Sequence, residues 1–384
     1  MEPGFTEEQL LLQTSLQGFL EDRYSFATRQ EFLRGGPEPK LWKAFADELG
    51  ILGAPFDEAA GGLGGGALET LIIMEAMGRN LVLEPYLETV VLCGSILRQS
   101  DVTLAAALIR EIVAGNARLA LAFAEPQARY CWHDVATVAA RGGGGYVLTG
   151  HKAVVAQAPG ATTLIVVART GGAQRDKDGL SLFAVDPKAP GVSRRDYRTI
   201  DGRPASEITF ESVPVPKTAL LTPEGEGWPV LRRALDEATA AVCAEASGVL
   251  SALLDATVDY TKSRSQFGQP ISSFQVLQHR MVDMMIAAEQ TGAMSLMAAI
   301  GLEAPSDERA RLVSAAKAKI GEACRFVGQS AIQLHGGMGI TDEMPVSHYF
   351  KRAAVIEFQF GSTDHHLARF EQLAFDAQGA MALA

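Results

Sequence analysis

Hydrophobic residues change their spacing twice along the chain. Through residues 1–117 they recur every three to four positions, which predicts helices, and this spacing returns from about Gly227. Between residues 118 and 226 the apolar runs are short, alternating or β-branched, and glycine-rich turns such as RGGGG separate them. We therefore predict an N-terminal helical domain (1–117), a central β-domain (118–226) and a C-terminal helical domain (227–384).

Four helices are predicted in the N-terminal segment. The first follows Thr6, whose hydroxyl is expected to cap it, and Glu7 and Glu8 favour its first turn. Its predicted apolar face consists of Leu10, Leu11, Leu16, Phe19 and Leu20. The next three helices are predicted in PKLWKAFADELGILGAP, GGALETLIIMEAMGRNL and YLETVVLCGSILRQS.

The central and C-terminal segments predict a sheet and a bundle. Six strands are expected in RLALAFAE, VATVAARG, GYVLTGHKAVVA, TTLIVVART, LSLFAVD and ASEITFESVPV, which suggests a small antiparallel β-barrel or sandwich. After Gly227 three long helical runs follow, and PVSHYFKRAAVIEFQF with HHLARFEQLAF supplies a fourth helix. Four long helices with short joins predict a four-helix bundle. Met281, Met284, Met285, Met294 and Met297 crowd one of these helices and are expected in the core or a subunit interface.

Composition narrows the possible partners. The formal net charge of −11 opposes binding to nucleic acid or anionic lipid, so a phosphate ligand would need local arginines and backbone amides. Four scattered cysteines without a CxxC motif, an acidic start and no apolar run judged long enough for a bilayer predict a soluble, cytoplasmic protein. Adjacent His365 and His366 diverge on a helix, so we expect them to be solvated or capping and predict no metal site.

Two motifs in the C-terminal segment could bind a phosphate ligand. In RSQFGQPISSFQ, Arg264 stands at a predicted helix end, and in QLHGGMGI the glycines at 336, 337 and 339 allow close approach of the backbone. Each motif alone has a plainer explanation. Arg264 could complement the helix dipole, and Gly268 with Pro270 could simply form a turn.

Together, in this order and after a β-domain, the motifs resemble the signatures of the acyl-CoA dehydrogenase family. ELGILGAPFDEAAGGLGGG and EAMGR resemble that family's N-terminal domain, so the likeness covers nearly the whole chain. The resemblance implies a fold of helical domain, β-barrel and helical bundle that binds FAD and oxidises acyl-CoA thioesters at Cα–Cβ. It also implies an electron-transfer flavoprotein as the usual acceptor. RRALDEATAAVCAEASG, SSFQVLQHRMVDM and EFQFGSTDHHLARF resemble small subunits of bacterial two-subunit members, such as that of pimeloyl-CoA dehydrogenase.

The resemblance also implies roles for individual residues. Arg264 and Gln266 would contact the pyrophosphate of an FAD lodged mainly in a neighbouring subunit, and a guanidinium suits that task because it makes forked, charge-assisted bonds. The adenosine half would pack beside Phe267, Ile271 and Phe274. The binding site would be completed by Gln333, Gly336 and Gly337.

The usual catalytic base is absent from its two family positions. Members of the family carry a glutamate before a glycine in the last bundle corner, where this chain has Phe360 before Gly361. In some members the glutamate lies on the first bundle helix, and the matching position here is Ala238. Glu237 is one residue away, which on a helix is about 100° around.

Family contacts to the flavin ring are also replaced. In AEPQARYCWHD, Glu125 and Pro126 are retained, but Ala124 stands where a threonine is expected. In VVAQ, Val154 replaces a tryptophan and Ala156 a threonine. Three polar or aromatic ring contacts have become aliphatic.

Our hypothesis is that the chain completes the FAD site of a homologous catalytic subunit, as two of each, and does no chemistry itself. One alternative is an active homomer with a displaced base, for which Glu237, Glu245 and Asp364 are the candidates. Another is a flavin-free homologue that binds acyl-CoA. A CoA phosphate could contact Arg194, Arg195 or Arg203, although these could equally be ordinary surface arginines.

Overall fold

The computed structural model describes residues 4–36 and 40–382. The order helices, sheet, helices is observed, which confirms the predicted fold class. The N-terminal helices are α1 (Glu7–Arg23), α2 (Phe26–Leu33), α3 (Leu41–Asp47), α4 (Ala67–Arg79), a π-helical segment (Tyr86–Cys93), α5 (Gly94–Arg98) and α6 (Thr103–Val113). The later helices are α7 (Gly227–Ser263), α8 (Gln275–Ile300), α9 (Ser306–His335), α10 (Pro345–Phe358) and α11 (Thr363–Ala382).

The chain forms two compact units. The first comprises residues 1–39, 67–83 and 239–384, and the second comprises residues 40–66 and 84–238. The first unit is helical, whereas the second holds the sheet together with short helices and the start of α7. The three-domain boundaries expected after residues 117 and 226 stay a prediction.

Helix α1 begins as predicted, but its buried face is narrower. The Thr6 hydroxyl accepts a bond from Gln9 N at 3.2 Å and the Gln9 side chain accepts one from Thr6 N, so both ends of a capping box are present. Leu16 and Leu20 are fully buried, whereas Leu10 and Leu11 are exposed, contrary to the prediction. At about 100° per residue Leu11 lies nearly opposite the buried pair.

Two glycines let α4 and α7 approach closely. A Cβ atom on Gly78 would lie 2.0 Å from the carbonyl oxygen of Glu245, and one on Gly248 would lie 1.9 Å from that of Glu75. Any side chain at either position would push these helices apart. The two glycines thus set the distance between α4 and α7. The core of the first unit includes Leu250, Leu253 and Val313.

The predicted fourth bundle helix is two helices in the structure. Helix α10 ends at Phe358, and α11 begins at Thr363. Between them Phe360 has φ 60° and Gly361 has φ 131°, and a helix cannot continue through two residues in this region. Helices α2 and α6 and one polar strand were not predicted. The apolar pattern is short in α2 and absent in the strand, whereas α6 (TLAAALIREIV) has an amphipathic pattern that the prediction overlooked.

The second unit contains a seven-stranded sheet. Its strands are β1 (Leu119–Ala122), β2 (Val138–Gly142), β3 (Gly145–Ala156), β4 (Thr163–Arg169), β5 (Leu180–Val185), β6 (Val192–Arg198) and β7 (Pro204–Pro216). The order is β1-β4-β2-β3-β7-β6, and β5 also pairs with β4. Most pairs are antiparallel as predicted, but β4 runs parallel to β1 and β2 because the chain crosses over before it returns. Leu148, Phe183 and Phe210 lie in the core of the sheet.

Among the residues that the structure describes, two helices are long and apolar enough, by composition alone, to cross a bilayer, contrary to the prediction that no apolar run is long enough. They are α7 and the span Gln275–Glu303. The most apolar window of α7 is 67% buried, and burial within a core explains its composition. The matching window of the second span is only 33% buried.

Candidate functional site

A hairpin follows α7 at the first motif. The last turn of the helix is closed by a bond from Arg264 N to Tyr260 O at 2.9 Å, and Ser265–Gln266 then pairs with Gln269–Pro270. The turn between these arms has Phe267 at φ 54° and Gly268 at φ 80°, the two left-handed residues that a tight hairpin favours. The chain thereby reverses within four residues.

The hairpin presents its side chains to solvent. Arg264 and Gln266 are exposed, and the Phe267 side chain is 92% exposed. The rings of Phe267 and Phe274 lie in a T-shaped arrangement with centroids 6.1 Å apart. A phenyl ring held outward in a left-handed backbone is costly within one chain, so it points to a ligand or a partner.

The second motif ends α9. Gly336 has φ 60° and ψ −141°, a conformation open in practice to glycine alone. A Cβ atom on Gly336 or Gly337 would meet nothing within 4 Å, so the surface above this backbone is free for a ligand. Gln333, one turn earlier, is exposed.

Tyr260 and His335 bring the two motifs together. Their rings stack with centroids 4.3 Å apart and planes 22° apart, and Tyr260 Oη lies 3.3 Å from the carbonyl oxygen of His335. His335 is buried, which lowers its pKa, and its Nδ1 donates to Ala331 O at 2.9 Å. Since Arg264 follows Tyr260 by one turn, both motifs occupy the same end of the bundle.

The corner between α10 and α11 is fixed by buried polar contacts. Lys317 Nζ donates to Glu357 O at 3.0 Å and to Gly361 O at 2.8 Å, and His366 Nε2 lies 3.2 Å from Phe360 O. A Cβ atom on Gly361 would lie within 2.6 Å of the rings of His365 and His366, so only glycine fits there. The corner is therefore rigid, although the Phe360 side chain it carries is buried and cannot accept a proton.

The corner histidines are not solvated, contrary to the sequence expectation. His366 is buried and His365 half-buried. Burial and nearby cations lower the pKa of His365 to about 4, and they hold the pKa of His366 well below its usual value. Within residues 4–36 and 40–382, no cluster of three His, Cys, Asp or Glu side chains has metal-binding geometry.

Two of the three alternative bases are paired with arginines. Glu237 is buried, and its carboxylate lies 2.6 Å from Arg98 Nη2 and 2.8 Å from Arg233 Nε. The structure thus places this side chain in an ion-pair network. Ala238, the neighbouring family position, is fully buried and apolar.

Glu245 is paired more deeply. It is fully buried and forms a bidentate ion pair with Arg352, with N–O distances of 2.8 and 2.6 Å. A carboxylate held this way is a poor proton acceptor, because protonation would leave the guanidinium charge buried and unpaired. Asp364 differs, since it lies exposed in the first turn of α11.

Glu125 in the sheet unit is a structural residue. Its carboxylate accepts bonds from Lys152 Nζ at 2.6 Å, Ala136 N at 2.7 Å and Thr137 N at 3.1 Å. Burial alone would raise the pKa of Glu125, but Lys152 and these bonds lower it overall. Burial lowers the pKa of Lys152 to about 8 despite the opposing charge. The pair therefore attaches the loop after β1 to strand β3.

The aliphatic residues Ala124 and Val154 lie close in sequence to the Glu125–Lys152 ion pair. Ala124 O accepts from Ala153 N at 2.9 Å, and Val154 lies in a bulge of β3 with φ 50° and an exposed side chain. Arg129, in the loop after Glu125, also has a positive φ of 49°. The backbone is strained at Arg129 and Val154, yet Ala124 and Val154 offer no polar side-chain atom.

The three candidate CoA-phosphate arginines lie on or next to β6. Arg194 is 2.7 Å from Asp196 and also donates to Ala158 O, while Arg195 is exposed. Arg203 is largely buried, with its Nε 3.9 Å from the Asp201 carboxylate. A phosphate role for any of them stays a prediction.

Family models for the N-terminal, middle and C-terminal domains of acyl-CoA dehydrogenase match residues 6–123, 120–213 and 225–372. The chain belongs to the acyl-CoA dehydrogenase family. Members of this family are FAD-dependent oxidoreductases that act on CH–CH bonds. The finer likeness to small subunits of two-subunit members stays a prediction.

Individual members of the acyl-CoA dehydrogenase family align along most of the chain. A probable acyl-CoA dehydrogenase of Bacillus subtilis, YngJ, is 31% identical over 339 residues, which are 83% of this chain and 85% of YngJ. Human mitochondrial short-chain specific acyl-CoA dehydrogenase is 28% identical over 364 residues, which are 93% of this chain and 87% of the human protein. In structure, the ChsE4–ChsE5 complex from Mycobacterium tuberculosis matches with a TM-score of 0.86 at 27% identity, covering 97% of this chain and 98% of that one.

FAD, the cofactor of the acyl-CoA dehydrogenase family, fits the described residues at its diphosphate half. Arg264 supplies an exposed cation, Gln266 an exposed amide, and Gly336 and Gly337 an unobstructed backbone. These groups suit phosphate oxygens, and the exposed Phe267 ring suits a planar base. Arg264, Gln266 and Gly337 are the residues that would hold the diphosphate.

The ring half of FAD does not fit this chain's own positions. Ala124, Val154 and Ala156 carry only aliphatic side chains, so they cannot donate to or accept from the polar edge of an isoalloxazine. Phe360 offers no base beside it. The described residues thus suit one half of the cofactor.

Sequence reasoning missed Tyr260, Lys317 and His366 as positioning residues. Lys317 carried a usable signal, because it falls at helical spacing between the apolar Val313 and Ile320. A charge on an apolar face predicts burial with specific partners. Tyr260 carried no comparable signal, because its contact is with a residue 75 positions away.

Proposed function

We propose that this chain is the partner subunit of an FAD-dependent acyl-CoA dehydrogenase assembled from two copies of it and two of a homologous catalytic subunit. Its Arg264 hairpin and Gly336–Gly337 backbone complete the FAD site of the catalytic subunit. An acyl-CoA thioester is desaturated in the catalytic subunit, and an electron-transfer flavoprotein is the expected acceptor. The predicted cytoplasmic location belongs to the same proposal.

One contrast carries the proposal. The residues suited to the diphosphate are present and face outward, with the Phe267 side chain 92% exposed, whereas the position where the resemblance places the base holds the buried Phe360. A chain with its own complete active site would need both the diphosphate-binding residues and the base. A chain that serves a neighbour needs only the first set.

The chemistry explains why a missing base matters. Desaturation removes a proton from the α-carbon, and a carboxylate within reach of that proton is needed to accept it. When bound, FAD accepts the hydride from the β-carbon. In this chain Phe360 cannot accept the proton, and Glu237 and Glu245 are engaged by arginines. Its own contribution is therefore binding, in which Arg264 neutralises the diphosphate charge.

Heteromeric assembly has support among relatives. The ChsE4–ChsE5 complex is built from two different proteins. The structural match with this chain covers 98% of the compared chain of that complex. In an assembly of two different chains, one chain can supply the chemistry that the other lacks. This likeness supports the proposal of a heteromeric assembly.

An active homomer with a displaced base is the second candidate. Asp364 favours it, because this carboxylate is exposed three residues after Gly361. The third possibility, a flavin-free acyl-CoA-binding homologue, does not explain the outward-facing Arg264, Gln266 and Gln333. We therefore prefer the partner-subunit role.

Flavin counting separates the candidates. The chain should be co-expressed with a homologous subunit encoded beside it, and the mass and flavin absorbance of the purified complex should be measured. Two flavins per heterotetramer are expected for the partner-subunit role. Four flavins per tetramer would contradict it, as would one flavin per chain together with acyl-CoA oxidation by the chain alone. A chain that remains flavin-free with every partner would support the third possibility.

A further inference from the structure

An arginine of helix α2 is buried inside the first unit. Arg29 is only 2% exposed, and its Nε donates to the carbonyl oxygen of Leu81 at 3.1 Å. Its Nη1 lies 2.7 Å from Nδ1 of His348, a buried residue of α10. Burying a guanidinium is costly unless its hydrogen bonds are made. The contact with His348 therefore joins α2 to the beginning of α10.

The two ring nitrogens of His348 have different partners. Nδ1 faces the Arg29 guanidinium, which can only donate, so Nδ1 must accept. Nε2 therefore carries the ring hydrogen and donates it to the carbonyl oxygen of Asp342 at 3.0 Å. The Phe26 ring packs against the imidazole in a T-shaped arrangement, with centroids 5.0 Å apart. Both hydrogen bonds together require the neutral imidazole.

Asp342 lies shortly after the second motif and is held by three side chains. Its carbonyl oxygen accepts from Nε2 of His348 and from Nε2 of Gln30, the neighbour of the buried arginine on α2. Its carboxylate lies 2.6 Å from Nζ of Lys351 on α10. The position of this loop residue thus depends on α2 and α10 together.

The backbone of the second motif is fixed from both ends. Its glycines begin a 3₁₀-helical segment, Gly336–Ile340, and a Cβ atom on Gly336 or Gly337 would meet nothing within 4 Å. Because these glycines have no side chains to pack, the flanking residues determine the path of their backbone. Buried His335 fixes the beginning of the segment, and Asp342 fixes the chain just after its end.

The surroundings of His348 oppose its protonation. Burial is the largest cause that lowers its pKa, and the Arg29 and Lys351 cations act in the same direction. The carbonyl and carboxylate oxygens of Asp342 act in the opposite direction and do not outweigh burial. Among the described residues, these three are the charged groups that act on the imidazole. A proton on Nδ1 would point at Nη1 of Arg29, so the contact between α2 and α10 would be lost.

We propose that Arg29 and His348 position the Gly336–Gly337 backbone for the cofactor diphosphate, and that they do so only while the imidazole is neutral. Protonation places two cations in contact and releases Asp342. The effect on FAD rests on the proposed diphosphate role, whereas the effect on the loop does not. Arg264 cannot supply this pH dependence, because a guanidinium stays charged at every physiological pH.

Hydrogen–deuterium exchange tests the positioning without any cofactor. In the purified chain, protection of the amides of residues 338–344, corrected for intrinsic exchange and compared with amides of α7, should fall between about pH 7.5 and about pH 5. Arg29→Met should lower this protection at both pH values, because His348 loses its partner. Arg34→Met, at the exposed end of the same helix, is the matched control and should not.

His348→Asn removes the titrating ring, so protection in this variant should be lower at neutral pH and independent of pH over the same range. Circular dichroism checks the folding of each variant. If Arg29→Met does not fold, the pH profiles of the unmodified chain and of His348→Asn still decide the question. Equal profiles in these two proteins would overturn the inference, whatever the result with FAD.

FAD titration of the deflavinated complex tests the effect on the cofactor. Binding by the unmodified complex should weaken by up to about tenfold over the same pH range, as expected for the loss of one hydrogen bond. His348→Asn should bind FAD more weakly but without this pH dependence, whereas His279→Asn, which removes an exposed histidine, should keep it. The comparison with His348→Asn is decisive, because any titration of the catalytic subunit is common to both.

The result with Arg264→Ala distinguishes failure of the inference from failure of the diphosphate role. If the unmodified complex and His348→Asn show the same pH dependence while Arg264→Ala still weakens FAD binding, the inference is overturned. If Arg264→Ala is also without effect, the diphosphate role itself has failed.

Discussion

Tyr260 stacks on His335 with ring centroids 4.3 Å apart, and this contact joins the two motifs of the proposed FAD diphosphate site. Tyr260→Ala should lower the flavin content of the complex with the catalytic subunit, because Arg264 and Gly336 lose their common support. A stacked aromatic pair contributes about 0.5–1.5 kcal/mol, so a loss of up to about tenfold in affinity is expected. Tyr260→Phe keeps the stack and is the control. Flavin absorbance per complex provides the measurement, and equal flavin content in the Ala variant would contradict the role.

Arg264→Ala should remove most of the flavin from the same complex. A charge-assisted hydrogen bond to phosphate contributes on the order of 1.5–3 kcal/mol, which is roughly a tenfold to hundredfold loss of affinity. Lys262→Ala is the matched control, because Lys262 is an exposed cation two residues earlier. Both affinities can be measured by titrating FAD into the deflavinated complex. If the two variants bind FAD equally, Arg264 does not contact the cofactor.

Lys317→Met should destabilise the first unit. The substitution leaves the carbonyl oxygens of Glu357 and Gly361 buried without their donor, at a cost on the order of 2 kcal/mol. Part of this loss is offset because burial of the charged amine, which lowers the pKa of Lys317, is relieved. Urea unfolding measures the difference, and Lys319→Met on the same helix provides the control. An unchanged midpoint would show that the corner is held by other contacts.

Stability should fall as the pH is lowered from about 6.5 to about 4. Burial lowers the pKa of His365 to about 4 and that of His366 well below its usual value, whereas both titrate near 6.5 in the unfolded chain. In this window the unfolded state binds protons that the folded state does not, so each histidine contributes up to about 1.4 kcal/mol per pH unit. Above pH 6.5 both states are neutral at these positions and the slope disappears.

The histidine variants provide the check on this pH dependence. Free energies of unfolding at about pH 7, 6 and 5 should decline less steeply in His365→Asn, His366→Asn than in the unmodified chain. His279→Asn removes an exposed histidine and is the control. Other buried histidines, such as His335, account for the remaining slope. An identical slope in the double variant would mean that the corner histidines do not titrate as proposed.

Phe360→Glu alone should not make the chain an active dehydrogenase. The substitution restores a carboxylate at the corner, but Ala124, Val154 and Ala156 still offer no polar contact to a flavin ring. Oxidation of a panel of acyl-CoAs by the purified variant, followed with an artificial electron acceptor, is the assay. Phe360→Leu controls for changes in folding. Turnover by the Glu variant would show that the chain's own site can hold the ring.

Much of the architecture could be predicted because it depends on local pattern. The helical spacing of apolar residues, the Thr6 cap and the alternation in β3 each reflect the geometry of one element, and each is observed. Strand β6 was not predicted because its sequence VSRRDYR is mostly polar. Its extended conformation depends on antiparallel pairing with β7. The corner at Phe360 and Gly361 was expected only from the family resemblance, because the break between α10 and α11 depends on backbone angles that the apolar pattern does not show.

The chemistry divides in the same way. The sequence by itself determined which side chains exist, so the absence of a carboxylate at position 360 and the presence of Arg264 needed no structure. Only the tertiary structure decided that Glu245 forms an ion pair with Arg352, 107 positions away, and that Glu237 forms one with Arg98. The physical reason is that the strength of a base depends on the charges within a few ångströms, and folding chooses those neighbours from distant parts of the chain.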